Sequence, residues 1–377
     1  IEIVPEDCTD PEQLAVDRTR LPGEATLLAL DPESGEVRWR VLIGGEGLSA
    51  PTGGQETIYV VSPAGGFNGM LRAFDSATGA ERWRFVTGRL RTLRPGVGQG
   101  LVYLSLAGME GDGGAEVVAV NSETGTERWR RKVGGEANPP PLLRGDVLYV
   151  GTDHPRLLLA LEAGTGEVLW QTDLPGPVPG TPASGSGLLF VAVPLFADVS
   201  GEAEDRSEVI ALDPETGGIR WSQTVPGVVS GSPAVANGDV YLGLRDFSTG
   251  TGTLIALSAE TGEERWRFTS EGEIAASPTV AEDLVLVADR PSDRSSNLYA
   301  VDAHSGEEQW RGALAGEVAE PAAVEGQVLY LSDRRGLSAL ELETGQERWR
   351  LEVTAAGFSG GLTAPTLHER LLYVGQS

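Results

Sequence analysis

The sequence predicts an all-β protein, an eight-bladed β-propeller of four-stranded antiparallel blades. Three observations carry this reading. An eleven-residue phrase ending in tryptophan recurs eight times, with 39 to 51 residues between successive tryptophans. Glycine and proline, 51 and 23 of 377 residues, suit many short strands joined by tight turns. The chain also opens and closes on half-repeats that complement each other. A period near 44 residues with strand-like units marks propeller blades rather than a helical solenoid.

Taken in order, residues 1–25 read as a polar N-terminal arm and 26–377 as the propeller. Cys8 is the sole cysteine, so an intramolecular disulfide is excluded. Its Glu-Asp-Cys-Thr-Asp setting is not the small, apolar surrounding of a lipid-attachment cysteine, and the residue reads as an unmodified thiol. The first phrase, ALDPESGEVRW, ends at Trp39, and its counterparts end at Trp83, Trp129, Trp170, Trp221, Trp266, Trp310 and Trp349. Each phrase reads as a hairpin: an apolar strand, an Asp-x-x-Ser/Thr-Gly turn, and a strand bearing the tryptophan. Asp31 can accept from backbone N–H groups in its turn, Pro32 presets φ, and Gly35 can adopt the left-handed conformation. The glycine recurs as Gly79, Gly125, Gly166, Gly217, Gly262, Gly306 and Gly345.

Between phrases lies a second hairpin, as in Gly231–Leu244 with its Asn237-Gly238 turn and in Ala276–Ala288 with its Glu282-Asp283 turn. Four strands per period make one blade. The chain enters its repeats on a tryptophan-bearing hairpin at 27–41 and leaves on an unpaired first hairpin, Leu362–Gly375. Together these halves are expected to complete an eighth blade from both ends, closing the ring and removing open sheet edges there.

The net charge of −26, with Lys132 the only lysine, repels phosphate backbones and anionic lipid surfaces. Nucleic acid and direct membrane insertion are therefore not expected. Such acidity fits a high-salt habitat, and the preference for arginine fits a GC-rich genome equally well. The longest apolar run, Leu188 to Ala197, is broken by Pro194 and is too short to cross a bilayer as a helix.

The pattern Ala-x-Asp-x-x-Thr/Ser-Gly-x-x-x-Trp resembles the tryptophan-docking motif of PQQ-like β-propellers, and the likeness covers all eight repeats. It implies that each tryptophan packs between neighbouring blades and touches the glycine peptide of another copy. Asn121, Glu162, Ser258 and Glu341 stand where the motif has aspartate, and those turns are expected to be less well capped. The size and minimal plan are similar to the outer-membrane assembly lipoprotein family BamB. That resemblance implies an extracytoplasmic, non-catalytic scaffold, tethered through the N-terminal arm, whose partner is a β-barrel assembly machinery. A monomer is expected. The alternatives are a dehydrogenase dependent on PQQ and calcium, or an extracellular ligand-sensing propeller.

Function is expected on the loops joining second and third strands, which vary in length while the opposite turns are short and uniform. The longest, Pro194–Ser207, combines Leu195 and Phe196 with the acids Asp198, Glu202 and Asp205. The loop Asp289–Asn297 contributes Asp289, Arg290 and Arg294. These eight residues are the candidate partner-binding set. No Asp-x-Asp-x-Asp-Gly run is present to hold calcium. His154, His304 and His368 fall in different repeats without metal-ligand spacing, so no catalytic, cofactor or metal residue is assigned.

Overall fold

The computed structural model describes residues 25–45, 47–64, 68–88, 94–107, 114–135, 139–195, 205–229, 231–274, 276–290, 296–314, 322–352 and 361–376. The fold is an eight-bladed β-propeller. Its regular structure consists of eight four-stranded antiparallel sheets, with no helix among the described residues. Two sheets carry an additional short strand, Val228–Val229 and Glu273–Ile274.

Two compact units are distinguished, the first being 1–97, 122–126 and 322–377, the second 98–121 and 127–321. In the first unit one sheet joins both ends of the chain, in the order Val37–Leu42, Thr26–Leu30, Leu371–Gln376, Thr366–His368. Thr26 lies opposite Gln376 and Leu30 opposite Leu372. The expected half-blades therefore pair. Ala25, expected in the arm, belongs to this sheet's surroundings: it is fully buried and its N–H donates to the Gly45 carbonyl at 2.9 Å.

Burial follows sequence pattern strand by strand. Second and third strands are covered on both faces, so they read as continuous apolar runs such as Leu189–Val193 and Val117–Val120. Fourth strands alternate: from Arg128 to Lys132 the side chains are by turns exposed and half-buried. Each core fills the space between consecutive sheets of a unit. One such cluster in the second unit unites Tyr103, Val117 and Ala119 with Leu148, Val150 and Leu159. In the first, Leu27 and Val41 pack with Ile58, Val60 and Phe74.

Every third-to-fourth-strand hairpin carries a register shift just before its turn, as between Ala29 and Leu30. One extra residue on the fourth strand makes this a β-bulge. The bulge sets a fixed row. Ala29 faces Trp39, Ala73 faces Trp83, Ala160 faces Trp170 and Ala256 faces Trp266, and the other four hairpins repeat it. The motif alanine is thus the small cross-strand neighbour that leaves room for an indole.

Candidate functional site

The repeated turn is built from its first residue upward. Asp31 Oδ1 accepts from the N–H groups of Glu33 and Ser34 and from the Ser34 hydroxyl, at 3.0–3.1 Å. Gly35 then donates to the Asp31 carbonyl at 2.9 Å with φ at +72°. The second carboxylate oxygen takes Arg38 at 2.5 Å. Asp75 with Arg82 and Asp213 with Arg220 repeat this pairing seven residues apart. The guanidinium of Arg220, followed by the N–H of Thr216, holds the Asp213 carboxyl at about 2. Where aspartate is missing the cap thins at two turns, but not at Glu162, whose carboxyl is lowered by the Thr165 hydroxyl and by the N–H groups of Gly164 and Thr165. At Ser258 the hydroxyl accepts only a longer bond, 3.3 Å, from the Thr261 N–H. Glu341 receives the Thr344 hydroxyl at 3.4 Å.

Seven of these turns are described with an indole closing them. Trp39 donates through Nε1 to the Ser76 carbonyl, Trp83 to Ser122, Trp129 to Ala163, Trp170 to Pro214, Trp221 to Ala259, Trp266 to Ala303 and Trp349 to Pro32, all at 2.9–3.0 Å. In each case the acceptor is the second residue of the turn. The six-membered ring lies against the turn glycine: a Cβ built on Gly166 would stand 2.6 Å from Trp129 Cε3.

A second aromatic escaped the sequence reading. Tyr59, Tyr149, Tyr241, Tyr330 and Tyr373 donate their hydroxyls to the same carbonyls that receive the indoles, at 3.0–3.2 Å. One carbonyl oxygen, with two lone pairs, thereby holds a tyrosine and a tryptophan whose ring centroids are 5.8–6.1 Å apart. The signal was present as a tyrosine recurring in the second strand, in register with the alanine: Tyr59 faces Ala73 as Ala73 faces Trp83. Phe190 takes this place opposite Ala211 and Leu286 opposite Ala300.

The loop candidates are placed unevenly. Leu195 ends the strand Leu188–Leu195, paired with Arg206. Asp205 uses its backbone carbonyl to accept the Gly227 N–H. Phe196, Asp198, Glu202 and Arg294 lie outside the described residues, as does Cys8. Arg290 stands 3.8 Å from Glu273. Asp289, expected at a docking surface, is 2% exposed. Its carboxylate accepts from the N–H groups of Gly272 and Asn297 and from the Tyr299 hydroxyl, at 2.8–2.9 Å. Its role is to hold its own loop base, because a buried carboxylate must be satisfied internally. Asp333 is similar: its carboxylate caps Arg335 and Gly336 and pairs with Arg350 at 3.2 Å.

The three histidines stay apart. His154 is exposed beside Asp153, His304 sits in the Asp302 turn, and His368 bonds the Gln55 carbonyl. Among the described residues no three histidine, cysteine, aspartate or glutamate side chains gather as a metal-holding group. No helix there is long and apolar enough to cross a membrane.

Comparison with known proteins gives four findings. A family model described as outer membrane protein assembly factor BamB matches residues 13–70, 67–173, 113–198, 156–248 and 245–364. The outer membrane protein assembly factor BamB of Shewanella oneidensis is 27% identical over 249 residues, 61% of this chain and 58% of that protein. The crystal structure of BamB from Moraxella catarrhalis superposes with a TM-score of 0.62 at 17% identity, covering 95% of this chain and 98% of that one. A quinohemoprotein alcohol dehydrogenase, ADH IIB of Pseudomonas putida, is 30% identical over 140 residues, 34% of this chain and 19% of the enzyme. The chain thus spans little over half of the BamB relative's length and a fifth of the dehydrogenase.

Proposed function

Because this chain belongs to the propeller family described as outer membrane protein assembly factor BamB, we propose that it is a non-catalytic, extracytoplasmic scaffold serving the assembly of outer-membrane β-barrel proteins. The observation that carries this reading is the extent of the family match, from residue 13 to residue 364. Charge supports it, since a field of −26 favours protein partners over nucleic acid or anionic lipid. So does the site chemistry. The two most buried of the described carboxylates, Asp289 and Asp333, are already committed to backbone N–H groups and to Tyr299 or Arg350.

The likeness to the quinohemoprotein dehydrogenase favours a second reading, an enzyme carrying PQQ and calcium. Such a group needs several carboxylate and carbonyl oxygens converging on one cation. The described residues do not fit: their buried carboxylates lie in separate sheets, each turned to internal donors. One experiment separates the readings. The protein is titrated with PQQ and calcium in a calorimeter, then assayed for dye-linked alcohol oxidation. The scaffold reading expects no saturable heat and no turnover. Stoichiometric binding with turnover overturns it.

A further inference from the structure

Beyond the eight phrases, the chain contains a ninth copy of the docking turn. It lies between second and third strands, at the opposite end of its sheet from the phrase turns, between Asp239–Asp246 and Thr251–Ser258. The residues are Asp246-Phe247-Ser248-Thr249-Gly250, followed by Thr251. The backbone bonding repeats that of Asp31–Glu36, while the hydroxyl that caps the aspartate comes from the third residue rather than the fourth and no arginine stands seven residues on. Asp246 Oδ1 accepts from the N–H groups of Ser248 and Thr249, at 2.9 and 3.3 Å, and from the Ser248 hydroxyl. Gly250 donates to the Asp246 carbonyl at 2.9 Å, and Thr251 donates to the Thr249 hydroxyl as Glu36 does to that of Ser34. The φ of Gly250 is +72°, equal to that of Gly35.

The covering also differs. Seven phrase turns hold an indole so close that a Cβ on the glycine would stand 2.5–2.7 Å from a ring carbon. At Gly250 nothing among the described residues lies within 4 Å of that point. The carbonyl that would take an indole N–H belongs to Phe247, and no described residue donates to it. The Phe247 ring itself is 53% exposed, and it is the one aromatic among the large exposed hydrophobics of the described residues. It is an exposed apolar group within the same turn.

We propose that the Asp246–Gly250 turn is an outward-facing dock for the indole of a tryptophan presented by a partner protein of different sequence. The guest is an indole because that is what fills the same turn in seven described cases, with ring on glycine and N–H on the second carbonyl. It comes from another kind of chain. All eight tryptophans of this one sit in phrase hairpins opposite an alanine, so a second copy has none to spare. This rests on the scaffold reading only in making the partner a protein.

The test uses the whole protein, labelled with nitrogen-15, and N-acetyl-tryptophanamide as probe, titrated into the millimolar range while amide shifts are followed. Saturable shifts are expected at Phe247–Thr251. Methylating the probe's indole nitrogen removes one net hydrogen bond and should weaken binding by about 3- to 10-fold. Gly250→Ala should abolish the shifts, because its Cβ occupies the ring position, while the rest of the spectrum stays native. Absent shifts at Phe247–Thr251, equal affinity of the methylated probe, or undiminished binding by Gly250→Ala would each overturn the dock. Shifts appearing instead at Gly35, Gly166 or the other phrase turns would also overturn it, since the probe would then be exchanging with internal tryptophans. The PQQ titration reads the scaffold assignment separately, so either idea can fail alone.

Discussion

Consider the substitution Gly166→Ala, which probes how the repeat holds itself together. Two costs are worked from the geometry. The backbone sits at φ +74°, where an L-residue with a Cβ is disfavoured by about 1–2 kcal/mol. The new methyl would also lie 2.6 Å from Trp129 Cε3, so the indole must move, a clash of the overpacking kind costing about 1–3 kcal/mol. The sum is about 2–5 kcal/mol. Gly238→Ala isolates the first cost: its φ is +83° and nothing stands within 4 Å of its would-be Cβ. It should therefore lose only about 1–2 kcal/mol. Trp129→Ala removes a half-buried indole and its bond to Ala163, a loss of about 3–5 kcal/mol. In that background the clash is gone, so adding Gly166→Ala should cost no more than Gly238→Ala does. Urea denaturation of the four proteins completes the cycle, with an expected coupling of about 1–3 kcal/mol and an unchanged m-value. Additivity within about 0.5 kcal/mol would refute the claim that the glycine is kept bare for the indole.

Asp289→Ala should destabilise the protein by about 2–4 kcal/mol, since it strands the N–H groups of Gly272 and Asn297 and the Tyr299 hydroxyl in a buried place. Chemical denaturation reads this, and a variant as stable as the parent would mean that the carboxylate is not the loop's anchor. The Asp213 carboxyl is lowered from 3.8 to about 2. A carboxyl depressed by folding contributes stability that is complete above its unfolded value and lost as the pH falls through its folded value. Asp213→Asn should therefore narrow its stability deficit between pH 4 and pH 2, as followed by acid melting curves; a deficit constant over that window would rule out the Arg220 pairing as its source.

The fold was legible because the repeat writes its own constraints. A turn that needs a left-handed residue shows glycine eight times, and an indole that needs a small cross-strand neighbour shows alanine opposite it. The alternation of fourth strands and the apolar runs of inner ones follow from one-sided and two-sided burial. The tyrosine row was equally periodic, but a tyrosine in an apolar strand reads as core. Only the register reveals that it shares its acceptor with a tryptophan. The loops were less legible for a physical reason. A charged residue in a polar loop looks solvated in sequence, yet Asp289 is buried, because the N–H groups it satisfies come from positions 17 residues before and 8 after it.

The same reasoning explains why Asp246–Gly250 passed unnoticed. The phrase is recognised by a tryptophan ten residues after its alanine, and this copy has none. A turn that closes on itself through an aspartate cap needs no indole to form, since its hydrogen bonds are all local. The indole adds the contact between one sheet and the next. Separating these two roles turns a structural repeat into a means of recognition: the turn can be placed where no strand of this chain reaches it, and its glycine, carbonyl and cap remain arranged for a guest. A propeller of this kind carries, in its own core, seven described examples of the interaction that such a site would use.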